Sequence, residues 1–443
     1  MENKAKQVYI NANVYTIDRD NPHAEAFAVD AEGKLLYVGS QKDAESFIYE
    51  GTEVIDLGGK CVLPGFGDDH CHISSPESVD LFLEHRSDIK MREQFIADVN
   101  NKHPENNGKM DYTDCVYAAI MDYAKEHPEK EFIHGIGYDP VQLTGEEKKV
   151  GLMKYRLDEL GEDGPAICIF SYTGHDLVAN SKCIKQNGVT KDTKVPYGGV
   201  IGKDEKGEPN GAFHDAAMGL IELPTNINRQ MDAIKRFQRI YNAAGVVNVQ
   251  NVAGNGTVPC PMAGAWKLAQ DGELTIRLRS TTGYTSYNAD TIVERCLADK
   301  AKSQSELFAV NTSKNFIDGV FYTLEDWPSQ PGFHGTCTWD DEEKFKKAII
   351  DQHKAGIQMH FHSYADRSCK MVLDALEEAE TLYPGKDLRH TLAHIMTIRP
   401  ADIKRMGKYG YVAAMQPSWF VKAKDAEKEY YYGVIGDKWV HQY

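Results

Sequence analysis

From Gly245 to Pro417 the chain alternates short apolar runs with amphipathic stretches, a pattern that few architectures accept. GVVNVQNV reads as a buried strand, followed by a helical pattern near 262–271. LTIRLRSTT comes next, with a helix near 288–303, then KNFIDGVFYT, a Gly/Pro-rich loop and a helix at 340–355. IQMHFHSY with a helix at 366–380, TLAHI with one near 400–407, and GYVAAMQP complete the series. Strands separated by helices of this length are βα units around a parallel sheet. One more strand-like segment ends at Asp68-Asp69-His70-Cys71-His72, giving seven β units. A closed barrel of this kind has eight. The expected fold is therefore α/β, a TIM-like barrel whose last βα unit is missing.

Two further regions flank the first strand. Residues 7–57 carry short alternating runs and a turn at Ala31-Glu32-Gly33, so part of a small β-sandwich module is expected over 1–60. Its strands are too few to stand alone. The barrel then occupies 61–443, interrupted after its first strand by an inserted subdomain at about 75–235. That insertion reads as helices, at 88–101, 113–127 and 229–244, joined by loops such as GEDGPA and KDEKGEPNG.

Composition narrows the function. Lys and Arg total 50 against 66 Asp and Glu, a net charge of −16. A chain so acidic does not suit a nucleic-acid backbone. The N-terminus MENKAKQVYI lacks a signal-peptide run, and no stretch has the length of a membrane span. A cytoplasmic protein acting on a small molecule is expected, with homo-oligomerisation left open. Nine scattered cysteines, with no CxxC pair, argue against a disulfide framework or a cysteine zinc knuckle. There is no GxSxG elbow, no GxxxxGK[ST] loop and no HExxH helix, and the GIG at 135–137 lacks the third glycine of a dinucleotide fingerprint.

What remains is histidine. Residues two apart in a strand share a face, so His70 and His72 project together, with Asp68 on the same side. His360, His362 and His394 fall near the C-terminal ends of later strands, where barrel enzymes gather their chemistry. Taken singly, each reads as a satisfied structural histidine; several converging imidazoles suit zinc, iron, nickel or cobalt. Lys314 alone reads as a solvent-facing lysine ahead of a strand. Its ammonium has no lone pair, but a carbamate formed from its amine and CO2 would be a carboxylate-like ligand. Asp318, four residues on, is the alternative oxygen ligand. Cys71, between two histidines, points to the opposite strand face and reads as packing.

These residues together resemble the amidohydrolase superfamily. CVLPGFGDDHCHI at 61–73 is similar to its strand-1 signature. More narrowly, the chain resembles amidohydrolase family 3, the branch that includes N-substituted formamide deformylases. GHDLVANSKCIKQNGV at 174–189, VPYGGVIGKDEKGEPNGAF at 195–213, AAGVVNVQNV, Lys314 to Gly319 and LRHTLAHI carry that likeness. So does HSYADR at 362–367, with Ala365 where Gly is usual.

The resemblance implies metal ligands at His70, His72, Lys314 (carbamylated), His362 and His394. It further implies one or two divalent ions, zinc expected, and a substrate or transition-state contact at His175, the candidate catalytic residue. His360 matches no ligand position and is expected to be packed or to support a ligand. The implied reaction is hydrolysis of a C–N bond in an amide, N-substituted formamide or cyclic amide by metal-activated water. Alternatives are an N-acyl-amino-acid deacylase, with Arg277 and Arg279 as carboxylate-binding candidates, and a non-catalytic regulatory protein or inactive fragment on the same scaffold. The superfamily's strand-8 aspartate, which the resemblance makes a metal ligand and the general base that shuttles the proton, and the C-terminal strands that complete the β module have no counterpart before Tyr443. Asp425 and Asp437 lie in a charged, helix-like stretch and are rejected as substitutes. The chain is accordingly expected to be a fragment of a longer protein.

Overall fold

The computed structural model describes residues 4–73, 79–83, 89–224, 226–252, 262–416 and Gly433. Asp425 and Asp437 lie outside them. The chain divides into two compact units, one of residues 1–67 with 245–247 and one of 68–244 with 248–443.

The smaller unit holds a four-stranded sheet, ordered Leu35–Gly39, Ala26–Val29, Gln7–Ile10, Glu53–Asp56, and a three-stranded sheet of His23–Ala24, Asn13–Tyr15 and Cys61–Val62. Val8, Ala26, Ala28 and Ala44 form its core. Its hairpin turns where the sequence puts a turn. The Asp30 carboxylate accepts from the amides of Glu32 and Lys34, and Gly33 takes φ +79°, a conformation costly for residues with a Cβ.

The larger unit is organised by a seven-stranded sheet. Its strands are β1 (Phe66–Cys71), β2 (Val246–Asn251), β3 (Arg277–Tyr284), β4 (Phe308–Phe316), β5 (Gln358–Ser363), β6 (Thr391–His394) and β7 (Val412–Ala414), neighbours in that order. The pairings from β2 through β7 are parallel. The sheet is rolled. β1 and β6 are five strands apart in sheet order, which in a flat sheet is roughly 24 Å. Yet the rings of His70 and His394 are 4.7 Å apart, centre to centre. The result is a nearly closed parallel barrel of TIM type.

Helices α1 (Ile227–Ala243), α2 (Met262–Gln270), α3 (Ile292–Lys302), α4 (Glu342–Lys354), α5 (Asp366–Leu382) and α6 (Pro400–Tyr409) alternate with the strands. Their boundaries lie within a few residues of those read from periodicity. Ile292, Phe345, Ile349, Val372 and Leu376 pack on Met359, Phe361 and Leu392 of the strands. Alternation along β5 then sends Met359 and Phe361 outward to the helices and His360 and His362 inward.

The insertion departs from expectation. Its helices Ile89–Lys102 and Tyr112–Glu126 are present. Beside them lies a six-stranded mixed sheet, ordered Gly199–Lys203, Pro209–Asp215, Asp176–Ala179, Ala166–Ser171, Phe132–Tyr138, Leu81–Phe82. The central strand AICIFS is buried along its whole length, so it shows no period-2 alternation to read. Asp80 ties this sheet to α1. Its carboxylate takes Arg229 Nη2 at 2.7 Å, Lys130 Nζ at 2.8 Å and the His134 amide at 2.8 Å.

Candidate metal centre and active site

The C-terminal halves of β1, β4, β5 and β6 bring basic side chains to one place. Lys314 and His360 are directly paired across β4 and β5, as are Ser363 and His394 across β5 and β6. His394 ends its strand at φ +77°, and Ile395 continues at +47°. Left-handed backbone at two non-glycine residues costs of order 1–3 kcal/mol each and tends to mark functional sites.

The rings form a chain of contacts. His70 lies 5.2 Å from His72, 4.8 Å from His360 and 4.7 Å from His394, and His394 lies 4.5 Å from His362. The histidines expected to bind metal, at 70, 72, 362 and 394, therefore meet. His72 is the exposed member. No three histidine, cysteine, aspartate or glutamate side chains among the described residues stand in a finished metal cage. The rings hold one another instead: His70 Nδ1 is 2.8 Å from His360 Nε2.

Hydrogen bonds orient the rings for ligation. His394 Nδ1 faces Gln416 Oε1 at 2.7 Å, an acceptor, so Nδ1 carries the proton and Nε2 keeps its lone pair. His70 uses Nδ1 toward His360, and its Nε2 is buried without a partner among the described residues. His362 Nε2 is buried and unpartnered in the same sense. Burial pushes the pKa values of His70, His360 and His362 down, reinforced by the neighbouring Lys314 and histidine charges. His394 is lowered to about 3 by the same causes. Neutral imidazole is the form that binds metal. A cluster of neutral imidazoles, with unpartnered buried nitrogens at His70 and His362, therefore fits a borderline divalent cation.

Lys314 corrects a reading made from its flanking sequence. It is not a surface lysine ahead of a strand. β4 starts six residues earlier than KNFIDGVFYT implied, and Lys314 lies within it, fully buried. Its Nζ has no hydrogen-bond partner among the described residues and lies 4.9 Å from the Phe316 ring. Burial lowers its pKa to about 7, against the opposing pull of Asp318. Its charge also lowers the pKa of His70, His72, His360, His362 and His394.

Asp318 is not a free oxygen ligand. Its carboxylate accepts from the amides of Tyr364 and Ala365 and from Ser368 Oγ at 2.6 Å, with His362 Nε2 at 3.9 Å. Burial raises its pKa to about 6 against these donors. It pins the turn after β5, which fixes His362 and starts α5. His360, expected to support a ligand, touches His70 directly. Cys71 is buried.

His175 comes from the insertion. Its Nδ1 lies 2.8 Å from Asp215 Oδ1. Burial opposes its charge, but Asp215 prevails and the pKa is raised. Asp215 was not singled out from the sequence, because its partner is 40 residues away; the repeated His-Asp dipeptide at 175–176 and 214–215 was the available signal. Arg277 and Arg279 are not at this site. Both lie at the start of β3, Arg277 against Glu306 at 3.6 Å and Arg279 Nη2 on the Glu306 carbonyl at 3.0 Å. Gly283, which pairs with Lys314, is four residues beyond Arg279, roughly 13 Å along the strand.

A rolled parallel barrel with converging histidines at its C-terminal mouth defines the class of barrel hydrolases. The amidohydrolase family model matches residues 53–443, and the chain belongs to that family. It is 25% identical to the exoenzymes regulatory protein AepA of Pectobacterium carotovorum subsp. carotovorum, over 99% of this chain and 90% of that one. It is 25% identical to the protein LONG AFTER FAR-RED 3 of Arabidopsis thaliana, over 94% and 68%. To the N-substituted formamide deformylase of Arthrobacter pascens it is 23% identical, over 92% and 72%. An uncharacterized metal-dependent hydrolase from Pyrococcus horikoshii shares the fold, with a TM-score of 0.66 at 18% identity over 98% of this chain and 79% of that one. Among the described residues no helix is long and apolar enough to cross a membrane.

Proposed function

We propose that this protein is a divalent-metal hydrolase of carbon–nitrogen bonds outside peptides: amides, N-substituted formamides or cyclic amides. The observation that carries this reading is the convergence of His70, His72, His362 and His394, with Lys314 beside them, at one barrel mouth. His70 and His72 would hold one cation, His362 and His394 a second, and Lys314 as a carbamate would bridge them. Zinc is the expected ion. The Lys314 pKa near 7 supports carbamylation, since only a neutral amine adds CO2.

A divalent cation held there supplies Lewis acidity, making water nucleophilic near neutral pH and polarising the scissile carbonyl. The chain's own residues do the rest. Asp318 and Gln416 fix His362 and His394, and His360 fixes His70. His175, whose charge acts on His362, would contact the substrate from the insertion. The deacylase alternative loses its proposed carboxylate anchors, because Arg277 and Arg279 lie at the far end of β3.

Metal analysis of the purified protein, with hydrolysis of a panel of N-substituted formamides, cyclic amides and N-acyl amino acids before and after chelation, tests the proposal. Bound metal and chelator-sensitive turnover of the first two classes are expected. Stoichiometric metal without turnover of any amide would favour the regulatory alternative, and absence of both would sink the hydrolase reading.

A further inference from the structure

We infer that Tyr364 is a positioning residue that holds His362 and His394, the two imidazoles assigned to one cation, in the orientation a cation needs. The inference rests on the metal-centre half of the reading above and deepens it.

Tyr364 is the first residue after β5, two places past His362. Its backbone is fixed from both sides. The amide donates to both Asp318 carboxylate oxygens, at 3.0 and 2.9 Å, and the carbonyl accepts from the Thr397 amide at 3.1 Å. The ring is braced by the buried Phe321, 5.2 Å away at 50°. Phe321 is anchored in turn, since its carbonyl accepts from Trp327 Nε1 at 3.1 Å. A ring held at its backbone and its flank in this way can act as a wall.

Two imidazoles lie against that wall. Tyr364 is 5.2 Å from His394, centre to centre, with the planes 22° apart, a stacked contact. It is 4.8 Å from His362, tilted by 58°. Phe316, paired with His362 across β4 and β5, covers the same imidazole, stacked at 4.3 Å and 17°. Offset-stacked and tilted contacts are favoured arrangements of aromatic rings. Here they oppose rotation about the bond joining each imidazole to its Cβ, the motion that would swing a ring nitrogen away from a cation.

Stacking matters most at His362. Asp318 fixes the backbone beyond this histidine, but its carboxylate is 3.9 Å from Nε2, outside hydrogen-bond reach. The ring contacts supply to His362 what the Gln416 hydrogen bond supplies to His394. A ligand oriented in advance binds more tightly, because less freedom is lost on binding. His70 has separate support from His360 Nε2, 2.8 Å from its Nδ1, so the effect of Tyr364 should be confined to the His362 and His394 pair.

Tyr364→Phe, Tyr364→Leu and Tyr364→Ala in the full chain test this, by zinc titration of the metal-free protein under a competing chelator. Leucine keeps apolar bulk but has no flat face. The relevant cation is the equivalent that disappears in His394→Ala. Tyr364→Leu and Tyr364→Ala should weaken that equivalent by about 10–100-fold and leave unchanged any equivalent that survives in His394→Ala. Tyr364→Phe should bind as the wild type does. In metal-free, histidine-labelled protein, the His362 and His394 ring signals, assigned with His362→Ala and His394→Ala, should shift in Tyr364→Leu and stay near their wild-type positions in Tyr364→Phe. Wild-type affinity in Tyr364→Leu, equal weakening of every equivalent, or a loss in Tyr364→Phe as large as in Tyr364→Ala would overturn the inference. A wild type that binds cation but hydrolyses no amide sinks the hydrolase reading alone. A wild type that hydrolyses amides while Tyr364→Leu keeps its affinity sinks this inference alone, and a wild type that binds no divalent cation sinks both.

Discussion

His70 and His360 stand 290 residues apart in sequence and four strands apart in the sheet, yet their rings share a hydrogen bond of 2.8 Å, Nδ1 to Nε2. The contact sets which nitrogen of His70 is left to face a cation. Supporting contacts of this kind, when removed, cost about 10–100-fold in metal affinity or activity. His360→Ala should therefore weaken metal binding by roughly that factor while the protein stays folded. Titration with zinc under a competing chelator measures it. Unchanged affinity would reduce His360 to packing.

Lys314 offers a test that separates a ligand from a structural residue. A buried ammonium without a hydrogen-bond partner is costly, by several kcal/mol if it stays charged. In metal-free protein, Lys314→Met should thus be at least as stable as the wild type, with a Tm equal or higher. The same change should strip the second metal equivalent and lower activity. A small carboxylic acid added to Lys314→Ala should restore part of both, because it can stand in for the carbamate. If Lys314→Met destabilises the metal-free protein and leaves metal content intact, the lysine is structural.

The barrel was legible because its two periods alternate over a long stretch, and because its helices, unlike its strands, expose one polar face. The clustering of the candidate histidines was legible where they fall near strand ends, at 70, 72, 362 and 394. Lys314 was misplaced because NTSKN reads as a polar loop, while a barrel interior accepts such residues once neighbouring strands satisfy them. The insertion's sheet stayed hidden for the opposite reason. Ala166–Ser171 is buried on both faces. In Phe132–Tyr138 the glycines break the pattern. A Cβ at Gly137, φ +124°, would meet the Leu83 carbonyl oxygen at 2.2 Å, so the glycine marks close backbone approach and not a nucleotide loop. Asp215 and His360 could not be assigned their partners at all, since pairing over tens or hundreds of residues is a product of the fold.

Asp318 should behave as an anchor for the mouth. Three donors converge on its fully buried carboxylate. Asp318→Ala leaves those donors unsatisfied, each at a cost of about 1–3 kcal/mol, although water entering the space would offset part of it. A Tm drop of several degrees is expected, with metal binding through His362 weakened as well. Asp318→Asn should do less harm to stability, since its carbonyl can still accept. If Asp318→Ala loses metal with no change in Tm, the carboxylate is a ligand after all and its hydrogen bonds are secondary.

At the other end of the barrel a second pair of histidines, His353 and His390, bears on acid stability. The Met359 amide donates to His390 Nδ1 at 3.1 Å, so His390 carries its proton on Nε2. That proton goes to His353 Nδ1 at 3.1 Å, and His353 Nε2 donates to the Tyr383 carbonyl at 3.0 Å. Both rings are fully buried, and a further proton on His390 Nδ1 would break the bond from Met359. Burial, with the His353 charge, lowers the His390 pKa to about 3. Below the unfolded-state value of about 6.5 the unfolded chain binds the proton and the folded one does not. Stability is therefore full above pH 6.5 and falls as the pH drops toward 3, at up to about 1.4 kcal/mol per pH unit from this group. Removing both rings at once would disrupt too many contacts to interpret, so His390→Gln alone is the variant of choice: its side-chain oxygen can accept from Met359 and its amide can donate to His353. Urea unfolding at pH 7, 6 and 5 should show a smaller loss of stability on acidification in His390→Gln than in the wild type. Parallel pH curves for the two proteins would remove His390 as a source of acid lability.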